Sequence, residues 1–244
     1  MRGSIRVLAW CLAIVLVALP LVGVLRGWFA AQSWPVTRLV VQAHFKYVDA
    51  AQIRAAVAPR VDKGFFALDL GAVQRAVAAL PWVEAVEVRK RWPDTLVLRV
   101  HERQPFAHWN EQQLISNKGV VFDASLPAGA PALPELRGPD ARLAEVVSFY
   151  SEARKAFAGA RVQVQGLTLT DRGSWSIRIG DGARVVVGDS AQAASRLHRF
   201  LDVLPQLMTG HDRAFVYADL RYTNGFAVLW PAATPTTAGG TPPA

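Results

Sequence analysis

The chain has 244 residues, 52% of them apolar, which allows a membrane segment plus one or two folded domains and excludes a largely disordered protein. Its formal charge of +8 is spread thinly: +3 over residues 1–32, +3 over 33–102 and +2 over 103–231, with no basic run longer than Arg89-Lys90-Arg91. That distribution argues against a nucleic-acid footprint, and with Cys11 as the only cysteine the rest of the chain has no disulfide and no thiolate.

Nineteen uncharged residues run from Val7 to Leu25. As a helix they would reach about 28 Å, close to the roughly 30 Å of a bilayer's hydrocarbon core. The run is longer than a signal-peptide core and ends in Arg26-Gly27-Trp28-Phe29 rather than at a small-residue cleavage site, so it reads as an uncleaved anchor. Pro20 is tolerated within it, and Trp10, Trp28 and Trp34 bracket it. Arg2 and Arg6 give a weak vote for an inside N-terminus, leaving the larger C-terminal part outside.

Beyond the anchor, Thr37–Val41 reads as a strand, and Asp49 caps a helix whose Ile53 and Val57 share one face. Asp69 caps a second helix with a Leu70, Val73, Val77, Leu80 stripe, ended by Pro81. From Val86 the period becomes two: Val86 and Val88 face one way, Trp92-Pro93-Asp94-Thr95 turns, and Leu96, Leu98 and Val100 return on the same buried face. The sum is β-α-α-β-β, ending near Glu102-Arg103.

After Pro105 a meander is predicted through Leu114-Ile115-Ser116 and Val120-Val121-Phe122. A Pro/Gly-rich stretch from Pro127 to Pro139 leads to a helix from about Asp140, with Leu143, Val146, Val147, Tyr150 and Phe157 on one face. Val162–Thr170, Ser174–Ile179 and Arg184–Val187 read as successive antiparallel strands with Asp181-Gly182 as a hairpin turn. A helix capped by Ser190 turns Ala193, Leu197, Phe200, Leu201 and Leu204 inward, and Phe215–Leu220 and Asn224–Trp230 are the last strands. The tail from Pro231 has a disordered composition. The predicted class is α+β: a transmembrane helix, the β-α-α-β-β module, then a mostly antiparallel β domain with two helices. The expected division is 1–6 head, 7–27 membrane helix, 28–34 linker, 35–103 module, 104–231 β domain and 232–244 tail.

No catalytic constellation survives its local reading. His44, His101, His108, His198 and His211 have no pair at a spacing that lets one helix face bind a metal. His101-Glu102 begins a zinc-protease pattern without its second histidine and reads as strand surface, and Gly180-Asp181-Gly182 reads as a turn. Glu84 and Glu87 read as solvent-facing strand charges. No cofactor, metal, nucleic acid or small-molecule substrate is expected, and function falls to surfaces.

An anchor followed by Leu80-Pro81-Trp82-Val83, Arg91-Trp92-Pro93-Asp94-Thr95-Leu96 and Glu102-Arg103-Gln104-Pro105 resembles the POTRA module of the FtsQ/DivIB cell-division family. Leu133-Pro134-Glu135-Leu136-Arg137-Gly138, Arg172-Gly173-Ser174-Trp175 and, above all, the stretch from Val216 through Asp219-Leu220-Arg221-Tyr222-Thr223-Asn224-Gly225-Phe226 to Val228 resemble that family's β domain. The resemblance implies an essential, non-enzymatic, single-pass type II inner-membrane scaffold at the division septum, its C-terminal region periplasmic. Its partners would be the coiled-coil proteins FtsB and FtsL, other membrane proteins of the divisome, and the lipid bilayer. It also implies that a partner strand adds to the last strand, with Arg172, Arg221, Tyr222, Asn224, Phe226 and Trp230 as contact positions and Arg172 pairing with an acidic group. On the residues alone, Tyr222 reads equally as a core aromatic and Arg172 as a solvated turn charge. A POTRA-containing periplasmic transport or outer-membrane assembly factor is the alternative, against which stand the single module and the lack of barrel strands.

Overall fold

The computed structural model describes residues 34–180, 182–209 and 214–231, together with Trp10, Leu12, residues 14–20 and Val22. The span expected at 7–27 lies largely outside the described residues, as do the head, Cys11, His211, Asp181 of the expected turn, and the tail from residue 232. The described residues between 10 and 22 are helical and exposed, and among the described residues no helix is long and apolar enough to cross a membrane. The chain divides into two compact units at Gln104/Pro105.

The first unit runs β1 (Arg38–Gln42), α1 (Ala50–Val57), a 3-10 turn (Ala58–Arg60), the short α2 (Gly64–Ala67), α3 (Leu70–Ala78), β2 (Val83–Arg91) and β3 (Thr95–Glu102). Asp49 and Asp69 cap as their spacing predicts: their carboxylates accept from Ala51 N at 3.0 Å and Ala72 N at 3.1 Å, satisfying donors the helices leave unpaired. The sheet order is β1-β3-β2, with β1 parallel to β3 and β2 antiparallel to it. On the central strand, Leu96, Leu98 and Val100 alternate inward against Ile53 and Val57 of α1 and Val73 and Val77 of α3. Each such burial contributes roughly 1.5–3 kcal/mol. Glu102 departs from the strand-surface expectation: it is buried, and its carboxylate accepts from Lys46 N at 3.1 Å and Tyr47 N at 2.9 Å, while His101 beside it is exposed. A period-two pattern assigns Glu102 to the inner face, but only the fold supplies the two amides that make a buried carboxylate tolerable.

The second unit holds β4 (Pro105–Trp109), β5 (Gln113–Ser116), β6 (Val121–Phe122), β7 (Glu135–Arg137), α4 (Leu143–Gly159, entered through the 3-10 turn Asp140–Arg142), β8 (Val164–Leu169), β9 (Ser174–Ile179), β10 (Ala183–Asp189), α5 (Ala193–Thr209), β11 (Tyr217–Asp219) and β12 (Ala227–Leu229). The nine strands form one sheet in the order β12-β11-β10-β9-β8-β7-β4-β5-β6. The expected antiparallel run holds, since β8 and β10 both pair antiparallel with β9, but the sheet as a whole is mixed: β4–β7, β7–β8 and β10–β11 are parallel. For two of these pairs the reason is a helix, since α4 lies between β7 and β8 and α5 between β10 and β11, and a helix-length crossover brings the next strand back in the same direction; β7 returns beside β4 after the strands β5 and β6.

The register explains which side of the sheet is core. Leu136, Leu167, Ile177, Val185, Ala218 and Val228 stand opposite one another across six strands, all apolar. The next row, Glu135, Gly166, Arg178, Arg184, Tyr217 and Leu229, takes the other face and is largely polar. Val146, Phe149, Tyr150, Ala153 and Phe157 of α4 and Leu197, Phe200 and Leu204 of α5 join the apolar cluster. The α5 entry is also corrected. Asp189, not Ser190, presents its carboxylate to the helix entrance, accepting from Gln192 N at 3.2 Å. Ser190 Oγ instead accepts from Trp175 Nε1 at 2.8 Å, giving the buried indole its partner.

Candidate partner-binding edge

β12 is the terminal strand of the nine-stranded sheet and pairs antiparallel with β11 along its inner side alone among the described residues. It is three residues long, shorter than the Asn224–Trp230 expected and matched to the three residues of β11 that it pairs with, and Phe226 and Trp230 at its two ends turn in as wedges. The Phe226 ring meets Phe200 edge-on at 5.3 Å, and Trp230 meets Phe215 edge-on at 6.2 Å. Both are half-buried, so they hold the strand in place and leave part of each ring accessible. Between them Val228 points toward the core and Leu229, 60% exposed, does not.

Before β12 the chain passes through residues 220–226, where Asp219 and Arg221 form a clasp. Arg221 donates from Nη2 to Asp219 Oδ2 at 2.6 Å and from Nε to Oδ1 at 2.9 Å, and its backbone N–H reaches Oδ1 at 3.0 Å. The Arg221 guanidinium holds the Asp219 carboxyl below the usual carboxylate range, and the carboxylate in turn raises Arg221. The stem of Arg221 crosses Gly188, a positive-φ residue at the β10 bulge, where an added Cβ would meet Arg221 Cγ at 3.0 Å and Arg196 Nη1 at 2.6 Å. From α5, Arg199 Nη1 donates to Thr223 O at 2.9 Å and ties the same segment down.

Loss of this clasp in Asp219→Ala is expected to cost about 1 kcal/mol, because charge-assisted bonds to the buried Asp219 carboxylate go while the solvent-exposed Arg221 keeps its hydration. Since the folded-state pKa is depressed, the clasp's contribution is fully present above the unfolded Asp value near 3.9 and is lost as pH falls below it. The melting-temperature gap between wild type and Asp219→Asn is therefore expected to stay constant from about pH 5 to 8 and to close below about pH 4. A gap that changes near neutrality would assign the effect to another group.

The structure divides the six contact positions predicted from sequence. Tyr222 is 58% exposed, which removes its reading as a core aromatic. Asn224 and Arg221 are exposed beside it. Arg172 is exposed in the turn between β8 and β9, closed by Gly173 N donating to Thr170 O at 2.8 Å. That turn lies at the end of the sheet where β9 and β12 begin and β10 and β11 finish, so Arg172 and the 221–226 segment share one end. Three strand spacings separate them, about 14 Å. A partner touching both would need an element across that end as well as a strand on β12.

Sequence reading missed Asp219, Gly188 and Arg199. The Asp-x-Arg spacing of 219–221 was a usable signal, because alternate residues at a strand end share a face. Arg199 and Gly188 come from other elements and left no local signal. Among the described residues no group of three His, Cys, Asp or Glu side chains could hold a metal ion.

Two family models match the chain. The one described as "POTRA domain, FtsQ-type" matches residues 34–103, and "Cell division protein FtsQ/DivIB, C-terminal" matches 107–221, so Tyr222, Asn224, Phe226 and Trp230 lie beyond the matched stretch. Among curated relatives, a protein named "Cell division protein FtsQ" from Xanthomonas campestris pv. campestris is 48% identical over 229 residues, 93% of this chain and 81% of that protein. Its namesake from Aliivibrio fischeri is 34% identical over 80% of this chain and 76% of its own length. The one from Bordetella pertussis is 33% identical over 77% of this chain and 75% of its own.

Proposed function

We propose that this chain, which belongs to the FtsQ/DivIB family of cell division proteins, is a membrane-anchored division scaffold whose last strand pairs with FtsB. Residues 7–27 anchor it in the inner membrane. The module at 35–103 recruits other division proteins outside, and the domain at 104–231 carries the edge that receives FtsB, with FtsL bound alongside it. The protein links early to late division components by binding and performs no chemistry itself.

The observation that carries this reading is the character of the β12 edge. An unpaired strand edge is a template for another strand, and proteins blunt the edges they do not use with charge. β2, at an edge of the smaller sheet, carries Glu87, Arg89, Lys90 and Arg91. β6, at the other end of the larger sheet, has two residues. β12 is Ala-Val-Leu without a charge, with exposed Leu229 on it and exposed Tyr222 just before it. Tyr222 would cover apolar surface on the added strand, Arg172 would pair with an acidic residue at the partner's near end, and Arg221 and Asn224 would take its polar groups.

The role is tested in cells. A full-length fusion with a fluorescent protein at its N-terminus is expected to form a band at the division site, and depletion is expected to give filaments without septa. A uniform envelope signal with normal cell length on depletion would sink the proposal.

A further inference from the structure

The first unit leaves three large aromatic side chains in solvent at one end. Trp34 is 43% exposed, Phe66 54% and Trp92 71%. They are neighbours, with Trp34 edge-on to Phe66 at 6.2 Å and tilted toward Trp92 at 6.4 Å. Their cluster is built rather than loose. Phe65 N donates to Trp34 O at 2.8 Å, and Lys90 Nζ donates to Phe66 O at 3.1 Å while lying over the Phe65 ring at 5.6 Å. Three adjacent exposed aromatic rings form a patch that solvent does not favour and that calls for a covering surface.

Topology says which end of the unit this is. β1 and β3 begin there, β2 finishes there, and the turn 92–94 closes it; α1 begins and α3 finishes at the opposite end. The patch is therefore at the end where the chain enters from residue 33. The uncharged run finishes at Leu25, nine residues before Trp34, and nine residues extended span at most about 32 Å.

We infer that the Trp34–Phe66–Trp92 patch seats this end of the unit on the outer surface of the bilayer, with the rings in the headgroup layer. Trp in particular is favoured at that depth, because its ring is apolar and its N–H is polar. Within four sequence positions of one of the three rings lie Arg38, Lys63, Arg89, Lys90 and Arg91 together with Asp62, Asp69 and Asp94, so charges of both signs flank the patch-forming residues. Seating is thus driven by the aromatic rings and requires no anionic lipid. The inference rests on the anchor at 7–27, which puts a bilayer within reach, and adds a second, folded contact that restricts the tilt of the unit.

The test uses the full-length chain in phosphatidylcholine vesicles, with and without phosphatidylglycerol. In a Cys11→Ser background an environment-sensitive fluorophore is placed at Arg91→Cys beside the patch, or at Ala51→Cys at the opposite end. The label at 91 is expected to be blue-shifted and quenched at least about threefold more by nitroxide lipids than the label at 51, equally in both vesicle types. Trp34→Ser/Phe66→Ser/Trp92→Ser in the same chain should abolish that difference while flotation with vesicles persists. Equal quenching at 91 and 51 overturns the inference and leaves the anchor standing, whereas a chain that does not float removes both. Protection of 91 found only in native envelopes, and not in pure lipid, overturns the lipid assignment in favour of a protein partner.

Discussion

Proline at Val228 is expected to weaken binding of the full-length chain to FtsB by roughly ten- to a hundredfold while the fold survives. A proline lacks the backbone N–H, and its ring crowds the path of a neighbouring strand, so it is tolerated at a sheet edge and spoils pairing there. Each main-chain bond lost contributes about 1 kcal/mol net, more where its partner stays buried and unpaired, and 1.4 kcal/mol is tenfold in affinity. Val228 is half-buried and at the end of the apolar row, so the same change removes little from the core. Titration of the detergent-solubilised chain with FtsB measures the affinity, and circular dichroism checks the fold. Tyr222→Ala is the companion variant: its ring is mostly in solvent, so melting should be unchanged while affinity falls about tenfold if the ring covers the added strand. Undiminished affinity in both variants, with the fold intact, would dismiss β12 as the docking edge.

The second large effect concerns stability. Phe200 is fully buried and is met edge-on by Phe215 at 5.8 Å and Phe226 at 5.3 Å, the residues that lead into β11 and β12. Phe200→Ala removes a large ring and leaves a cavity that rigid neighbours fill poorly, at about 3–5 kcal/mol. For a domain of this size that is a fall in melting temperature of roughly 10 °C or more. Because both rings that rest on Phe200 hold the last two strands, amide exchange in 217–219 and 227–229 is expected to rise more than in β8 and β9. A uniform change across the sheet would show that Phe200 supports the core as a whole and not the edge.

Local periodicity carried much of the first unit. The caps at Asp49 and Asp69, the Val73 and Val77 stripe, and the Leu96, Leu98, Val100 alternation are near-neighbour patterns, and a helix or strand displays them in the sequence itself. Family membership was legible too, because the motifs quoted from both units are short and contiguous. In the second unit the antiparallel run β8-β9-β10 was legible, whereas the parallel pairings were not. Nothing in Glu135–Arg137 or Tyr217–Asp219 says which neighbour it will meet, and of the three parallel pairings among eight, two arise because a helix crosses over.

The same division runs through the sites. The sequence by itself determined which stretch contains the candidate edge, since Asp219 to Val228 reads as one motif. The tertiary structure decided which of those residues face solvent: Tyr222 is outward, whereas Phe226 and Trp230 are wedges against Phe200 and Phe215. It also decided that Arg199 and Gly188 serve the segment at 221–226, and that Trp34, Phe66 and Trp92, up to 58 positions apart in sequence, form one surface. The reason is physical. Caps, stripes and alternation are set by backbone geometry over four residues or fewer, while exposure and partnership depend on which distant segment fills the remaining space.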